Sequence, residues 1–164
     1  ATFKPDALPC SLNVPEWIQQ PIEAGGRSLI FTGLSVGNPH GVVFKPTGES
    51  WSREELLALG PALEHHKLFP KRTNVQLVVP TGRNAIFSLI WERGAGETQA
   101  SGSSSCAAAS AAVRLGLVKS PVTVKMPGGV LNIEVAPDFS LTMKGPVAEV
   151  ARGTLSPSFI RGLK

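Results

Sequence analysis

Four short polar stretches interrupt a chain whose neighbouring segments are apolar and β-prone: residues 37–40, 73–74, 92–98 and 100–103. Together they offer two amides, a carboxylate, a guanidinium and the free backbone N–H groups of a helix start. Such groups can bind the ammonium and carboxylate of an amino acid, and a few convergent polar groups are typical of a small-molecule site. The sequence therefore predicts a binding site assembled from four separate segments.

The last of these stretches begins a helix of unusual composition. Residues 106–112 are almost all small and uncharged, and a helix that is apolar all round is buried. We therefore expect this helix to be the central rod of the domain. At its start, Ser101, Gly102 and Ser103 present free backbone N–H groups and the positive end of the helix dipole, which suit a carboxylate or phosphate.

Each candidate residue also has a simpler explanation. Asn38 and Asn74 are equally explained as turn residues, because asparagine is common in turns. Glu92 and Arg93 are equally explained as a solvated ion pair at a strand end. A histidine such as His40 is more often a surface or core residue than a catalyst. Only the joint order of these residues along the chain favours a site.

The apolar pattern predicts strands separated by Gly- and Pro-containing turns, over residues 29–36, 42–44, 74–79, 85–91, 122–126, 130–135, 141–144 and 147–154. The four prolines of residues 1–28 predict an extended, turn-broken segment.

Ser52 and Glu55 form a capping box that begins a helix reaching residue 65 or 66, with a break or kink at Gly60 and Pro61. This order indicates an α+β domain, with a curved mixed sheet wrapped around one buried central helix.

Composition narrows the class of protein. The 164 residues fit a single domain, residues 1–164, with a sizeable core. The net charge is +4, but the basic residues are scattered, which disfavours nucleic acid as a partner. No apolar run approaches a bilayer span and nothing reads as a signal peptide, so we expect a cytoplasmic protein with no membrane contact.

Cys10 and Cys106 lack metal-site spacing, and we expect two reduced thiols and no metal.

Several motifs follow one another along nearly the whole chain. They are residues 35–40 (Ser-Val-Gly-Asn-Pro-His), 68–75 (Leu-Phe-Pro-Lys-Arg-Thr-Asn-Val), 91–100 (Trp-Glu-Arg-Gly-Ala-Gly-Glu-Thr-Gln-Ala), the Cys-Ala-Ala-Ala run that follows, 127–133 (Pro-Gly-Gly-Val-Leu-Asn-Ile) and 143–150 (Met-Lys-Gly-Pro-Val-Ala-Glu-Val). In this order and at these lengths they resemble the C-terminal half of the diaminopimelate epimerase family.

The resemblance implies a pyridoxal-independent isomerase of two similar halves, each a sheet wrapped around a central helix, with the active site between them. One cysteine of each half acts at the substrate Cα, one removing a proton as thiolate and the other returning one to the opposite face. Such an enzyme interconverts L,L- and meso-diaminopimelate for lysine and peptidoglycan precursor synthesis and needs no cofactor. The implied partners are the amino-acid substrate and the N-terminal half, and an exposed apolar cleft wall also permits a homodimer.

The family's substrate contacts carry over onto matching positions. By this resemblance, Asn38 and Asn74 bind the distal amino-acid end of the substrate. Glu92 and Arg93 bind the same end by charge, and His40 lines the site.

The start of the central helix departs from the family pattern. The resemblance implies that the backbone N–H groups of Gly102 and Ser103 bind the reacting carboxylate. Ser101, however, stands where the family has its C-terminal catalytic cysteine, and an alcohol is a far weaker acid than a thiol of pKa about 8.5. Ser104 and Ser105 also differ from the usual Gly and Ala, which favours natural divergence of the whole turn over an engineered change.

These departures leave alternatives for the function. The N-terminal half is absent from the 164 residues, and half a cleft cannot epimerise by the family mechanism, so we expect the isolated chain to be inactive. One alternative is a related isomerase or racemase of the same fold that acts on another amino acid or on a phenazine-type precursor. Another is a non-catalytic domain that binds an amino acid or a protein. Cys106 lies about a turn and a half inside the helix, and we expect it to be a buried structural thiol.

Overall fold

The computed structural model describes residues 1–8, 10–11 and 13–163. Within them, strands and α-helices follow a short 3-10 turn at Pro5–Ala7. The strands are β1 Gln20–Ala24, β2 Arg27–Ser35, β3 Pro39–Phe44, β4 Asn74–Gly82, β5 Ala85–Glu92, β6 Gly96–Thr98, β7 Val122–Met126, β8 Gly129–Val135 and β9 Leu141–Lys144. The helices are α1 Arg53–Glu64, α2 Gly102–Arg114 and α3 Pro157–Arg161. None of the helices in these ranges is long and apolar enough to cross a membrane.

Among the described residues, the strands form one mixed sheet in the order β1-β2-β3-β4-β5-β7-β8-β9, with β6 paired to β5. The β3–β4 and β5–β7 pairs are parallel, and the other pairs are antiparallel. Parallel neighbours need a long crossover connection, and α1 and α2 supply the two that are needed. This arrangement confirms the predicted α+β class.

Helix α2 is the buried centre of the sheet. It packs against β2, β3, β4, β5, β7, β8 and β9, so the sheet wraps around it as expected. Ala107, Ala108, Ala111 and Ala112 have no exposed surface. Because these side chains are small, strands on several sides pack closely against the helix backbone.

Helix α1 covers the opposite face of the sheet. Its Leu56, Leu59 and Leu63 belong to a second core, which also contains Leu77 of β4. The next residue of β4, Val78, packs instead in the core around α2. Successive strand residues point to opposite faces, so β4 is buried on both sides, which explains its continuous apolar sequence.

The start of α1 confirms the predicted capping box. Ser52 Oγ accepts from the Glu55 N–H at 3.2 Å, and the Glu55 carboxylate accepts from the Ser52 N–H at 2.9 Å. Of the predicted break or kink at Gly60 and Pro61, the break is wrong, because α1 continues through both residues. Gly60 leaves room for the Trp91 ring to pack directly on the helix. The sequence around Gly60 does not predict this contact with Trp91.

Near the chain ends, the structure has one strand that was not predicted and lacks one that was. Gln20–Ala24 is a strand although it lies in the proline-rich segment, of which Pro9 is outside the described residues. Pro21 fits there because β1 is an edge strand, where a missing N–H is tolerated. Residues 147–154, predicted as the last strand, pair with no described strand and are exposed. A β-prone composition is insufficient there, because a strand needs a neighbour for its backbone hydrogen bonds.

We predict that Gly60→Ala destabilises the protein. The added carbon would lie 2.5 Å from Cδ2 of Trp91, and overpacking of this kind costs about 1–3 kcal/mol. The better helix propensity of alanine, about 1 kcal/mol, offsets only part of that cost. The urea unfolding midpoint should therefore fall, whereas Gly153→Ala, with nothing within 4 Å of its added carbon, should leave it unchanged. A midpoint that rises for Gly60→Ala would contradict the packing of Trp91 on α1.

Candidate functional site

The four polar stretches meet at one end of the sheet. His40 and Asn74 are register neighbours in the parallel β3–β4 pair. Nδ2 of Asn74 donates to the Pro39 carbonyl oxygen at 2.8 Å, and Oδ1 of Asn74 accepts from the Arg93 backbone N–H at 2.9 Å. Asn74 is buried, so its side chain ties the β2–β3 turn and the β5–β6 turn to the start of β4.

A chain of hydrogen bonds connects the β2–β3 turn with the start of α2. Oδ1 of Asn38 lies 3.0 Å from Nε2 of His40, and Nε2 of Gln76 lies 3.1 Å from Nδ1 of the same ring. The Gln76 amide also donates to Oγ of Ser104 at 3.1 Å. The Ser104 backbone N–H then donates to Oγ of Ser101 at 3.5 Å. The structure thus brings Asn38, His40 and Ser101 together through Gln76 and Ser104.

His40 is held neutral in this chain. It has no exposed surface, and burial lowers its pKa from 6.5 to about 4. The hydrogen bond with Gln76 opposes this shift, and the positive charge of Arg93 adds to it. The ring therefore carries no charge at neutral pH, and it supports the half-buried Asn38 side chain instead of reaching the surface itself.

Ser101 is the N-cap of α2. It has extended backbone dihedrals, and its hydroxyl oxygen accepts from the Ser104 N–H. Its carbonyl oxygen accepts from Oγ of Ser105 at 2.8 Å. Within the described part of the chain, no carboxylate or imidazole lies within hydrogen-bond distance of the Ser101 hydroxyl. The hydroxyl therefore has a structural partner but no base to remove its proton.

A pocket of about 230 Å³ lies beside Ser101. Gly102, Gly128 and Pro146 also line it. The β7–β8 turn is held against this segment because the Gly128 N–H donates to the Gln99 carbonyl oxygen at 2.7 Å. A side chain at Gly128 would place its Cβ 2.9 Å from that oxygen, so only glycine allows this close approach.

The first turn of α2 supplies donors next to this pocket. Gly102 and Ser103 are its first two residues, and backbone N–H groups at these positions have no acceptor within the helix. Ser103 is exposed, and Gly102 packs close to the sulfur of Met143. With the positive end of the helix dipole, these two N–H groups suit a carboxylate.

The β5–β6 turn positions Glu92 and Arg93. The turn is closed by the Ala95 N–H, which donates to the Glu92 carbonyl oxygen at 3.1 Å, and by glycines 94 and 96 at positive φ. Arg93 Nη1 donates to the Lys71 carbonyl oxygen at 3.2 Å. Glu92 is half-buried and Arg93 is exposed, so one carboxylate and one guanidinium stand at the same end of the sheet as Asn38 and Asn74.

Glu64 is a residue of this region that the sequence did not single out. Its Oε1 accepts from the Gly94 N–H at 2.8 Å and from Arg72 at 3.2 Å, and its Oε2 accepts from the Trp91 indole N–H at 2.7 Å. Burial opposes ionisation, but the hydrogen bonds from Trp91 and Gly94, with the charges of His65 and Arg72, hold the pKa of Glu64 below 4.5. The sequence feature that could have identified Glu64 is its position directly after Leu63, on the apolar face of α1.

Other candidate chemistries are less well supported. Cys106 is half-buried against the core around α2, and burial raises the pKa of its thiol, which makes it a poor nucleophile. The described residues contain no group of His, Cys, Asp and Glu side chains that could hold a metal ion. Two larger cavities, of about 670 and 380 Å³, are lined by none of the four polar stretches.

The fold and these contacts define a class of protein. A sheet wrapped around a small-residue helix presents amides, a carboxylate, a guanidinium and free N–H groups at one end, which is the arrangement of a small-molecule-binding α+β domain. The sequence profile described as diaminopimelate epimerase matches residues 32–150. The chain belongs to the diaminopimelate epimerase family, as its motifs indicated.

Individual relatives agree with this assignment. The diaminopimelate epimerase of Magnetococcus marinus is 46% identical over 140 residues, which are 85% of this chain and 49% of the relative. That of Synechococcus sp. is 42% identical over 150 residues, 90% of this chain and 53% of the relative. The diaminopimelate epimerase of Azotobacter vinelandii is 47% identical over 133 residues. These residues make up 80% of this chain and 47% of the relative. The chain thus spans about half the length of the curated relatives it matches.

Among solved structures, a phenazine biosynthesis protein of the PhzF family from Bacillus anthracis matches with a TM-score of 0.49 and 16% sequence identity. The match covers 70% of this chain and 38% of the other. A similarity of this extent carries no conclusion about function.

We predict that Glu64→Gln weakens the fold in a pH-dependent way. An amide has one acceptor oxygen, so it cannot accept from Trp91, Gly94 and Arg72 together, and loss of charged hydrogen bonds should lower the free energy of unfolding by about 2–3 kcal/mol at pH 7. Because the folded-state pKa lies below 4.5, the carboxylate stabilises the protein above pH 4.5, and this contribution is lost as the pH falls below that value.

Urea unfolding of both proteins between pH 7 and pH 3 measures this effect. The difference between wild type and Glu64→Gln should shrink on acidification. Glu134→Gln, at an exposed position of β8, serves as the control and should show no difference at any pH. A Glu64→Gln difference that is constant with pH would show that the carboxylate's charge is not what holds the β5–β6 turn.

Proposed function

We propose that this chain forms one side of the active site of a cytoplasmic, cofactor-independent isomerase that interconverts L,L- and meso-diaminopimelate by proton transfer at Cα. Such a reaction serves lysine and peptidoglycan precursor synthesis. Family membership supports the reaction class. The observation that carries the proposal is the convergence of Asn38, Asn74, Glu92 and Arg93 with the α2 N-terminus at one end of the sheet.

The reacting amino-acid end of the substrate binds at the start of α2. Its carboxylate accepts hydrogen bonds from the N–H groups of Gly102 and Ser103, beside the 230 Å³ pocket. The same donors and the helix dipole stabilise the negative charge that develops when the Cα proton is removed. The site therefore favours the carbanionic transition state over a neutral ligand.

The distal end of the substrate binds at the two turns. Arg93 pairs with the distal carboxylate and Glu92 with the distal ammonium. Asn38 offers its amide directly. Asn74 already uses Oδ1 and one N–H on backbone groups, so it contributes one remaining N–H and, through Arg93, the position of the guanidinium.

Proton transfer at Cα is the step for which this chain is least suited. The Ser101 hydroxyl has a far higher pKa than the thiol that the family places there, and no neighbouring base among the described residues compensates. Proton removal from the opposite face belongs to an N-terminal half that these residues do not supply. The chain on its own should bind the substrate without epimerising it.

Exposed apolar residues support an N-terminal half as the partner. Val147 and Val150 are 98% and 95% exposed. Met143 and Val130, on the strands next to the pocket, are 51% and 44% exposed. Apolar surface of this kind is typical of an interface, so the N-terminal half covers it, or a second copy of the chain does so when that half is absent.

A second candidate is a non-catalytic domain that binds an amino acid. The role of the Ser101 hydroxyl as a helix cap favours it, because capping needs no acid–base chemistry. The two candidates share the same ligand contacts and differ in whether Cα–H exchange follows binding. A test of proton exchange therefore separates them.

We predict that the chain binds L,L-diaminopimelate and that Arg93→Ala weakens this binding at least tenfold in calorimetry. Loss of a charge-assisted hydrogen bond to a carboxylate lowers affinity by tenfold or more, at about 1.5–3 kcal/mol. Arg83→Ala, at the exposed turn between β4 and β5, removes the same charge elsewhere and should leave affinity unchanged. Equal affinities of wild type and Arg93→Ala would contradict the proposed site.

Proton NMR of L,L-diaminopimelate in D₂O then tests catalysis. The chain alone should cause no loss of the Cα–H signal. An N-terminal half from a family member, combined with the Ser101→Cys variant, should restore exchange. Exchange by the unaltered chain alone would show a working base that the structure does not identify and would contradict the proposed division between two halves.

A further inference from the structure

Glu64 is a buried acidic side chain that the proposed reaction does not use. Its Oε2 accepts from the Trp91 indole N–H at 2.7 Å, and its Oε1 accepts from the Gly94 N–H at 2.8 Å and from Arg72 Nη1 at 3.2 Å. All three partners can only donate, so both oxygens must accept and the group binds as a carboxylate. A buried charge is tolerated only when it is paired and hydrogen-bonded, and these three donors meet that requirement.

Two of the partners flank the residues that we propose to bind the distal end of the ligand. Glu92 and Arg93 lie between Trp91 and Gly94 in the chain. Glu64 therefore holds the residue on each side of this pair. The β5–β6 turn is tied to α1 through these two contacts.

The third partner belongs to the segment that contacts Arg93. Arg72 follows Lys71, whose carbonyl oxygen accepts from Arg93 Nη1 at 3.2 Å, and Asn74 Oδ1 accepts from the Arg93 N–H at 2.9 Å. Arg72 has a φ of 60°, a left-handed conformation that a residue other than glycine keeps only where its surroundings hold it. The ion pair with Glu64 is one of the contacts that hold it.

The guanidinium of Arg93 has no carboxylate partner in the described part of the chain, where the ion pairs involve other basic residues. Glu64 pairs instead with Arg72. Arg93 is exposed, and its Nη1 is directed by the neutral carbonyl of Lys71. A guanidinium has five N–H donors, and those not used on Lys71 can meet a planar carboxylate.

We infer that Glu64 is a positioning residue for Arg93: it holds the β5–β6 turn and residues 71–74 together, and these two segments direct the Arg93 guanidinium toward a carboxylate of the ligand. Glu64 acts through Arg93 and does not contact the ligand itself. The ligand part of this inference rests on the proposed function. The placement of Arg93 rests only on contacts within the chain.

Amide hydrogen exchange of the ligand-free chain tests the placement. A glutamine at position 64 has one acceptor oxygen and would turn an N–H₂ group toward a donor, so the turn loses a hydrogen bond. The informative amide is that of Arg93, because it donates to Asn74 and not to Glu64. In Glu64→Gln it should exchange roughly tenfold faster relative to the amides of β7 and β8, which report the general loss of stability. An unchanged relative rate at Arg93 would overturn the inference.

Affinity for L,L-diaminopimelate, measured by NMR titration, separates positioning from a general weakening of the fold. Glu64→Gln should lower the affinity roughly tenfold in the otherwise unaltered chain. It should have no further effect in Arg93→Ala, because Glu64 acts through that side chain. Glu97→Gln is the matched control: it breaks another ion pair of α1 with the same hairpin, Arg53 to Glu97 at 2.7 Å, and should leave the affinity unchanged. An equal loss for Glu64→Gln in both backgrounds would overturn the inference.

Arg72→Asn keeps the test decisive if Glu64→Gln does not fold. Arg72 is exposed, and asparagine adopts the left-handed conformation more readily than most residues, so this variant should fold. It removes the contact between Glu64 and residues 71–74. Exchange at Arg93 should be faster, and the affinity should fall several-fold unless Arg93 is already alanine.

The outcomes for the inference and for the proposed function are distinguishable. If wild type binds no diaminopimelate, the proposed function fails, and exchange at Arg93 alone decides whether Glu64 positions it. If wild type binds and neither Glu64→Gln nor Arg72→Asn changes the affinity, the proposed function stands and the positioning role of Glu64 is overturned.

Discussion

The burial of α2 is the constraint on which the rest of the structure depends. A helix of alanines and serines has no large side chains of its own with which to fill a core. It is stable only if strands approach its backbone from several sides, and β2–β5 and β7–β9 do so. That requirement explains the long mixed sheet and the crossover that returns from β5 to β7. It also explains glycines such as Gly128, where the chain passes too close to another backbone for any side chain.

A buried helix creates a second requirement at its N-terminus, where the first N–H groups have no partner within the helix. Ser101 satisfies the Ser104 N–H, and the N–H groups of Gly102 and Ser103 have no acceptor within the helix, which is why we propose that they bind the ligand. The polar ends of β3, β4 and β5 surround this point, and buried hydrogen bonds of Asn74, Gln76 and His40 hold them in register. The proposed ligand-binding groups are thus held by elements that pack in the core. Rigid placement of donors is what stabilises a developing charge at low cost.

Sequence reasoning succeeded where structure depends on near neighbours and failed where it depends on distant ones. The buried character of residues 106–112 and the capping box of Ser52 and Glu55 are local patterns, and the structure confirms both. The roles of Glu64 and Gln76 depend on partners that the fold brings from elsewhere, since Glu64 meets Trp91 and Gly94, and Gln76 meets His40. Strand pairing is equally non-local, which is why β1 was missed and residues 147–154 were wrongly predicted as a strand. The candidate site residues came from ordered family motifs, and composition alone would have favoured turns and solvated ion pairs for the same positions.

The most direct test of this account is a titration of the ¹⁵N-labelled chain with L,L-diaminopimelate, followed by amide chemical shifts. The account predicts that the largest changes occur at residues 38–40, 74–76, 92–96 and 101–104, with Gly102 and Ser103 among the strongest because their N–H groups bind the carboxylate. Shift changes confined to the 380 Å³ groove lined by Ile30, Phe44 and Leu117, with those four segments unchanged, would contradict it.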